Sequence, residues 1–419
     1  MSVFGGYDMP LWFADGAREE HLSVLAACGL FDTSHMSVVR ISGSDAFELL
    51  QWFFCRDLSA CVGPGKKPLT PGTCAYGVFL DESAGVIDDG IVYSLDRNEF
   101  LLIVNAGMGE RIVRRVTGRT SHTIVADITD RTGKIDIQGS CSALVIRELL
   151  SEPDRVFSMM PCFSFKGGID SIPSDAEPVR FTNGIPVMLS RTGYTGEFGF
   201  ELFVERSQVV DVWDILCVAG ERYSMKPCGL AARDSLRAGA GLPLSHQDIG
   251  DWPFINNPWT FVLPYNAEKT GFTKDFIGRA ALEAIDDGDY TCPYAGFDVR
   301  KVAVDDEPAA VLDCSGTEIG RVLTCVTDMG IGRAGNRIYS IASPDKPSGF
   351  VPAGLSCGFV KVRTPLHEGD RITLKKGTRT IAVSVVRDIR PDRTARRPVK
   401  EMLDYECDNA VLGKKNDTT

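Results

Sequence analysis

Two adjacent carboxylates interrupt an otherwise apolar stretch of the sequence. Asp88 and Asp89 follow the run GVI at residues 85–87 and lie shortly before the run IVY at residues 91–93. Successive side chains of a β-strand point to opposite faces, so one of the two carboxylates is expected inside the protein. A buried carboxylate needs a partner or a ligand, and this position therefore indicates a functional site. The alternative is an acid near a turn that accepts backbone amide hydrogen bonds.

Asn105 and Glu201 are further candidates for contact with a heterocyclic ligand. Asn105 ends the strand after the acids, and antiparallel pairing would bring it back beside them; it is equally suited to cap the helix that follows. Glu201 comes after the turn GYTGE at residues 193–197, in which the Tyr194 ring is suited to stacking on a planar ligand. A buried Glu201 carboxylate would match two adjacent N–H donors of an amino-pyrimidone ring, whereas a hairpin residue of this type also commonly faces solvent.

Arg233 and Arg237 lie four residues apart in a predicted helix and share one of its faces. Such a pair binds carboxylates or forms a row of surface ion pairs. Among the histidines, His35 and His246 show no metal-ligand spacing, and the 13 cysteines contain no Cys-x-x-Cys pair. We therefore predict no metal site, and we interpret the cysteines as buried thiols in a reducing compartment.

The acids lie in the middle of a predicted antiparallel meander. Residues 74–80, 85–95 and 100–104 have strand character and are separated by short polar turns. A unit of strand, Gly-Ser turn and helix at residues 37–53 recurs at residues 135–150. This recurrence suggests that an α+β half-domain is duplicated.

A polar stretch, DDGD at residues 286–289, marks the best internal boundary. Beyond it, short β-rich runs alternate with Gly- and Pro-containing turns over residues 294–386, which is typical of a small β-barrel. The predicted fold class is thus α+β with mixed or antiparallel sheets. It has two related halves in residues 1–285, a barrel in residues 286–395 and a partly mobile tail in residues 396–419.

The bulk composition excludes several classes of function. A chain of 419 residues with 44% hydrophobic and 24% charged residues is expected to form two or three packed units. A net charge of -11 repels phosphate backbones, so nucleic acid is not an expected partner. The sequence has no long apolar run and does not start with a charged-then-apolar signal pattern, which predicts a cytoplasmic protein without membrane contact.

Six segments together resemble a known family. They are FGGYDMP at residues 4–10, GLFDTSHM at 29–36, GVIDD at 85–89, NAG at 105–107, RTGYTGE at 191–197 and GLAARDSLR at 229–237. In type and order they resemble the aminomethyltransferase (T-protein) family of the glycine cleavage system. The resemblance covers most of the chain up to about residue 241, and the later part is similar in architecture only.

This resemblance implies a three-lobed fold with tetrahydrofolate in a central channel. By position in the family, the residues lining the cofactor site are Tyr76, Asp89, Asn105, Tyr194, Glu201 and Arg233. Glu201 would hold the pterin, and Asp89 would act electrostatically on the folate nitrogens that exchange the one-carbon unit. In the parent reaction, an aminomethyl group on a lipoyl carrier protein (H-protein) loses ammonia and its methylene passes to tetrahydrofolate. No metal or corrinoid is implied.

Two departures bear on the donor substrate. The run CRD at residues 55–57 replaces a Thr-Asn-Asp type run, and the aromatic-rich segment 245–264 lacks the family's Thr-Pro-x-Glu-Ala pattern near the substrate entrance. Three functions therefore stay open: the aminomethyltransferase, a tetrahydrofolate-dependent demethylase of a small S-, O- or N-methyl compound, and a non-catalytic folate-binding regulatory protein. The presence of Asp88 and Asp89 together with Glu201 and Arg233 favours an enzyme.

Overall fold

The computed structural model describes residues 1–63 and 65–404. In the first region, strands and helices follow one another in the order β1 (Ser2–Phe4), β2 (Tyr7–Met9), α1 (Ala17–Ala26), β3 (Gly29–Asp32), β4 (Ser37–Gly43), α2 (Ala46–Phe53), β5 (Cys74–Leu80), β6 (Val86–Asp96), β7 (Glu99–Val104), α3 (Gly109–Val116), β8 (Thr123–Asp127), β9 (Thr132–Gln138), α4 (Ser142–Leu149), α5 (Pro153–Phe157), β10 (Phe165–Lys166), β11 (Met188–Ser190), β12 (Gly199–Glu205), α6 (Val209–Gly220), β13 (Lys226–Pro227), α7 (Leu230–Gly239) and α8 (Arg279–Ala284). Single-turn 3₁₀ helices lie at Thr129–Arg131, Arg206–Gln208, Glu221–Tyr223 and Thr260–Val262.

In the later part of the described chain, the regular elements other than α9 are strands. Its elements are β14 (Tyr290–Gly296), β15 (Ala310–Leu312), β16 (Glu318–Asp328), β17 (Ile331–Ala334), β18 (Arg337–Ser340), β19 (Leu355–Val362), β20 (Arg371–Lys376), β21 (Arg379–Val385) and α9 (Val399–Leu403). Six of the strands close into a barrel in the order β14-β19-β16-β15-β20-β21, and every pairing within it is antiparallel. The predicted barrel is therefore confirmed.

The acids lie in a five-stranded antiparallel sheet with the order β5-β6-β7-β4-β8. Strands β5, β6 and β7 form the predicted meander within one residue of its expected limits. Local alternation and polar turns were sufficient here because neighbouring strands of a meander pair with each other. One face of this sheet packs against α2 and α3 through a core that includes Leu50, Phe53 and Phe79.

A second sheet has the order β10-β11-β12-β9-β3-β13, and only its β3–β13 edge is parallel. The predicted duplicated units occupy interior positions in the two sheets, as β4 followed by α2 and β9 followed by α4. Gly43 and Gly139 at the two turns have φ angles of 135° and 124°. An added Cβ would lie 1.9 Å and 2.5 Å from carbonyl oxygens of neighbouring chain segments, so both turns require glycine.

Part of the predicted tail packs on the first region. Val399 and Met402 of α9 are buried in the same core as α4 and α6. The tail expected at residues 396–419 therefore contains a packed helix, because α9 has an apolar face that covers this core. Residues 405–419 of that tail lie outside the described part of the chain. Among the described residues, no helix combines the length and apolar character needed to cross a bilayer.

Buried ion pairs join the barrel to the first region. Arg390 Nη1 lies 2.6 Å from Asp328 Oδ2 of β16, and Arg390 Nε lies 3.2 Å from Glu197 Oε1. His21 of α1 contacts the other Asp328 oxygen through Nε2 at 2.9 Å. The pKa of Asp328 is held far below its usual value, because the charges of Arg390 and His21 outweigh the effect of burial. The junction thus depends on charged groups that are almost completely buried.

We predict that Arg390→Met lowers the free energy of unfolding by about 3–5 kcal/mol, because Asp328 and Glu197 would remain buried without their partner. Denaturant titration measures the loss. Arg337→Met is the matched control, since Arg337 forms an exposed ion pair with Asp345 at 2.6 Å, and its loss should cost about 1 kcal/mol or less. Equal losses in the two variants would contradict the prediction.

Candidate cofactor and active site

Both neighbouring acids of β6 are inside the protein. The exposed fraction is 0% for Asp88 and 9% for Asp89. The expectation that only one of them would be buried is therefore wrong. Strand alternation does separate their side chains, but residues from other elements cover both faces of β6 at this point.

Asn105 bridges the two carboxylates. Its side-chain Nδ2 donates to Asp88 Oδ1 at 2.7 Å and to Asp89 Oδ1 at 2.8 Å, and its backbone N–H donates to Asp88 Oδ2 at 3.0 Å. The bridge forms because Val104, the last residue of β7, pairs with Gly90 of β6. The helix-cap alternative for Asn105 is wrong, since α3 begins at Gly109 and has no side-chain cap.

Further donors complete the surroundings of the acid pair. The Tyr76 hydroxyl donates to Asp89 Oδ2 at 2.7 Å, and Ser245 Oγ donates to Asp88 Oδ1 at 2.9 Å. Burial raises the pKa of both carboxyls. The pKa of Asp89 reaches about 7, because burial and then the charge of Asp88 outweigh the hydrogen bonds from Tyr76 and Asn105. The pair is thus able to hold a proton near neutral pH.

A second polar cluster lies on the six-stranded sheet. Glu201 of β12 stands directly opposite Asp136 of β9. Lys134 Nζ lies 2.6 Å from Asp136 Oδ1 and 2.6 Å from Glu201 Oε1. The remaining oxygen of Glu201 accepts hydrogen bonds from Thr192 and from the Tyr93 hydroxyl. Glu201 is buried, so the alternative of a solvent-facing hairpin residue is wrong.

Sequence reasoning missed Lys134 and Asp136. Both are fully buried, and both alternate with Ile135 and Ile137 along β9. Charged residues inside an apolar strand were the signal that identified the acids of β6, and the same signal is present in the run KIDIQ at residues 134–138.

The two arginines of α7 have different roles. Arg233 Nη1 lies 3.1 Å from Asp136 Oδ2, and its guanidinium carbon lies 5.0 Å from the centre of the Tyr194 ring. Arg237 instead pairs with Asp248 and donates to Thr324 Oγ1 of the barrel at 3.1 Å. Arg233 therefore belongs to the candidate site, while Arg237 holds α7 against β16.

The two clusters lie close to each other. Burial raises the pKa of Tyr194, and the Asp89 charge raises it further while Arg233 and Arg237 lower it. The Tyr194 ring lies 5.0 Å from the guanidinium carbon of Arg233, and its hydroxyl donates to the carbonyl of Pro243, in the same segment as the Ser245 that contacts Asp88. The structure thus places Tyr76, Asn105 and Asp89 in the first cluster and Glu201 and Arg233 in the second, with Tyr194 beside both.

His35 lies beside the second cluster and has an unsatisfied nitrogen. Its Nδ1 is buried and has no hydrogen-bond partner among the described residues. Its ring packs edge-on to Phe4, with a distance of 5.6 Å between ring centres. Burial, followed by the charges of Arg233 and Lys134, lowers the pKa of His35 to about 3. The imidazole is therefore neutral, and its Nδ1 remains without a hydrogen-bond partner in the part of the chain that the structure describes.

Known proteins of one family match this chain. The family model described as the GCVT N-terminal domain matches residues 1–252. An aminomethyltransferase of Shouchella clausii is 37% identical over 282 residues, which cover 67% of this chain and 69% of that protein. This chain belongs to the aminomethyltransferase family, that of the glycine cleavage T-proteins. It is accordingly a one-carbon transferase.

Other members of the aminomethyltransferase family agree with this assignment. The aminomethyltransferase of Staphylococcus epidermidis is 32% identical over 326 residues, covering 76% of this chain and 80% of that protein. The crystal structure of the glycine cleavage system aminomethyltransferase T from Bartonella henselae superimposes with a TM-score of 0.70, at 24% identity, over 95% of this chain and 94% of that one. The fold is therefore that of the T-protein, as the sequence predicted.

We predict that Asp88→Asn lowers the pKa of Asp89 below its value of about 7, because a neighbouring negative charge is removed. Carbon-13 NMR of aspartate-labelled protein measures this pKa. Since the folded state holds the proton more tightly, wild-type stability should fall as the pH rises from about 4, where a free Asp titrates, to about 7. Asp88→Asn should flatten this fall.

The exposed Asp306 supplies the control for that measurement. Asp306→Asn should leave both the pKa of Asp89 and the slope of stability with pH as they are in the wild type. An unchanged pKa of Asp89 in Asp88→Asn would show that the two carboxyls titrate independently.

Proposed function

We propose that this chain is a tetrahydrofolate-dependent aminomethyltransferase. It would move a methylene group from the aminomethyl-lipoyl arm of a carrier protein (H-protein) to tetrahydrofolate and release ammonia. The observation that carries the proposal is the buried acid pair, bridged by Asn105 and lying beside the Glu201–Arg233 cluster. Overall, one C–S and one C–N bond of the donor are replaced by two C–N bonds to folate, and the two folate protons pass to ammonia and the thiol.

The second cluster has the chemistry that a reduced pterin requires. Among the described residues, Glu201 Oε1 accepts a hydrogen bond from the Lys134 ammonium alone, which leaves a lone pair for an N–H donor of the ring. Tyr194 is a half-buried aromatic ring with the Arg233 guanidinium carbon 5.0 Å from its centre, and His35 Nδ1 has no hydrogen-bond partner among the described residues. Bound tetrahydrofolate would supply the nitrogen nucleophile that receives the one-carbon unit.

The acid pair would stabilise positive charge near that nitrogen. Asp89 is held by Tyr76 and Asn105 in a nearly water-free position, where a carboxylate interacts strongly with a developing cation. Its pKa of about 7 also allows it to take up or deliver a proton near neutral pH. These two properties suit the departure of an amine. A cytoplasmic location is part of the proposal and is supported by the free thiols of Cys28, Cys55 and Cys74. The expectation that the cysteines are all buried thiols is wrong, since Cys141 is disulfide-bonded and Cys314 is exposed.

The segment 245–264 favours a second candidate, a tetrahydrofolate-dependent demethylase of a small methyl compound. This segment is anchored to β6, because Gly250 accepts the Val86 N–H at 2.6 Å and Ala84 accepts the Phe254 N–H at 3.0 Å. This anchoring places Ser245 next to Asp88, to which its hydroxyl donates a hydrogen bond. A segment that closes over the acids suits a small donor as well as the end of a lipoyl arm.

Turnover with defined donors tests the proposal. The protein is incubated with tetrahydrofolate and aminomethyl-lipoyl carrier protein, and ammonia and methylenetetrahydrofolate are measured together. Calorimetry with tetrahydrofolate alone reports cofactor binding. Ammonia release that requires tetrahydrofolate is the expected result. Formation of 5-methyltetrahydrofolate from small methyl donors, with none of these products from the carrier, would replace the proposal by the demethylase.

We predict that Glu201→Gln weakens tetrahydrofolate binding by about 1.5–3 kcal/mol per lost charge-assisted bond. The same change removes a partner of the buried Lys134 and should also lower stability. Glu205→Gln makes the same change in the same strand and serves as the control, because the Glu205 carboxylate accepts from the Ser171 N–H outside the cluster and the change should leave affinity as in the wild type. Wild-type affinity in both variants would show that Glu201 does not contact the cofactor.

We predict that Asp89→Asn slows turnover by about 10²–10³-fold, or about 3–4 kcal/mol, and changes tetrahydrofolate affinity much less. The amide keeps the size of the side chain but removes the charge that faces the developing cation. Asp88→Asn should slow turnover far less, because Asp88 is wholly buried and accepts hydrogen bonds from Asn105 and Ser245, whereas Asp89 is the more exposed of the two acids. Steady-state kinetics of the two folded variants decide the ranking, and the reverse order would move the catalytic role to Asp88.

A further inference from the structure

The ammonium group of Lys134 is fully used within the protein. Its Nζ donates to Thr33 Oγ1 at 3.1 Å, to Asp136 Oδ1 at 2.6 Å and to Glu201 Oε1 at 2.6 Å. A lysine ammonium carries three N–H donors, so none is left for a ligand. Lys134 is also only 2% exposed. It can therefore affect a bound ligand only through the groups that it holds.

Strand β9 gives this ammonium group a fixed position. The strand pairs with β12 on one side and with β3 on the other. The backbone of Lys134 also holds the turn after β3, because its N–H donates to Ser34 Oγ at 3.1 Å and its carbonyl accepts the Thr33 N–H at 2.9 Å. A charged group on a strand that is paired along both edges is held in a defined geometry.

Glu201 depends on Lys134 for its counter-charge. Among the described residues, Lys134 is the only cation that pairs with Glu201, whereas Asp136 is also paired with Arg233. Glu201 and Asp136 stand directly opposite each other on neighbouring strands. Without Lys134, two buried carboxylates would therefore face each other, and Arg233 would compensate the charge of Asp136. Burial and like charge both favour the protonated form of an acid, so Glu201 would take up a proton.

The remaining groups around Glu201 are neutral in the part of the chain that the structure describes. The hydroxyls of Tyr93 and Thr192 donate to Glu201 Oε2. Burial, followed by the charge of Glu201, raises the pKa of Tyr93 far above its usual value. Burial likewise raises the pKa of Cys74, to which a neighbouring thiol and Glu201 add. His35, beside the same cluster, is neutral because burial lowers its pKa to about 3. None of these groups can replace the charge of the lysine.

We propose that Lys134 is a positioning residue for tetrahydrofolate, which keeps Glu201 ionised and oriented for the pterin without contacting the cofactor itself. The inference rests on the proposed function and adds a residue that acts through Glu201. An ionised carboxylate accepts hydrogen bonds through both oxygens, whereas a protonated one presents a donor in place of one acceptor. The two adjacent N–H donors of a pterin are therefore matched only by the ionised form.

Calorimetry of the full chain with tetrahydrofolate between pH 6 and pH 9 tests this role. Lys134→Met should weaken binding about ten-fold relative to the wild type at pH 7, and the ratio of the two Kd values should fall toward one as the pH rises and Glu201 ionises. Taking the ratio removes the pH effects that both proteins share, such as that of Asp89. Lys166→Met is the control, since Lys166 pairs with Glu177 on β10 of the same sheet at 2.7 Å, and it should bind as the wild type at every pH.

A second background separates positioning from a general structural role. In Glu201→Gln, the further change Lys134→Met should alter tetrahydrofolate affinity little, because the carboxylate through which Lys134 acts is already gone. Lys134→Gln keeps a hydrogen-bond donor but not the charge, and it should show the same pH dependence as Lys134→Met. It replaces Lys134→Met if that variant does not fold, as judged by circular dichroism.

Carbon-13 NMR of glutamate-labelled protein provides a measurement without ligand. The Glu201 signal is identified by its absence in Glu201→Gln. We expect it to show an ionised carboxylate in the wild type at pH 7 and a protonated one in Lys134→Met. An ionised Glu201 in Lys134→Met, or an equal and pH-independent loss of affinity in both backgrounds, would overturn the inference. If the NMR result holds but the wild type does not bind tetrahydrofolate, the proposed function fails instead.

Discussion

The burial of two adjacent carboxylates is the constraint on which the site depends. Asp88 and Asp89 have lost most of their hydration and repel each other, so each requires donors from the protein. These donors come from three distant places in the chain: Tyr76 on β5, Asn105 after β7 and Ser245 after α7. The acid pair is therefore held in this form only when the five-stranded sheet and the chain beyond α7 are both in place.

The second cluster satisfies the same constraint by pairing charges. Lys134 lies between Asp136 and Glu201, and Arg233 lies beside the other oxygen of Asp136. The two cations and two carboxylates of this cluster alternate, so each buried charge lies beside a group of opposite charge. Such a network fixes the orientation of Glu201 before any ligand arrives. A preorganised acceptor does not have to be reoriented when the ligand binds.

The segment 245–264 links the acids to the barrel. Its Trp259 donates through Nε1 to the Gly241 carbonyl at 2.8 Å, and its ring contacts Phe359 of β19 with 4.9 Å between ring centres. Pro253 forms an isolated bridge with Gly85 at the start of β6. This segment, one of the two that depart from the pattern of the family, is therefore packed between β6 and the barrel. We therefore expect substitutions in this segment to change the positions of Ser245 and Asp88.

The sequence by itself determined the elements and the chemistry that they carry. Alternation and polar turns located β5, β6 and β7, and charged residues within an apolar strand marked the acids, because both patterns are local to one element. Only the tertiary structure decided that both acids are buried, since Ser245 is 157 residues from Asp88. Only the tertiary structure shows that Lys134 pairs with Glu201, 67 residues away in the sequence, and that Arg237 contacts the barrel. Periodicity reveals which face of an element is buried, whereas the partner of a buried charge depends on which distant segments pack against it.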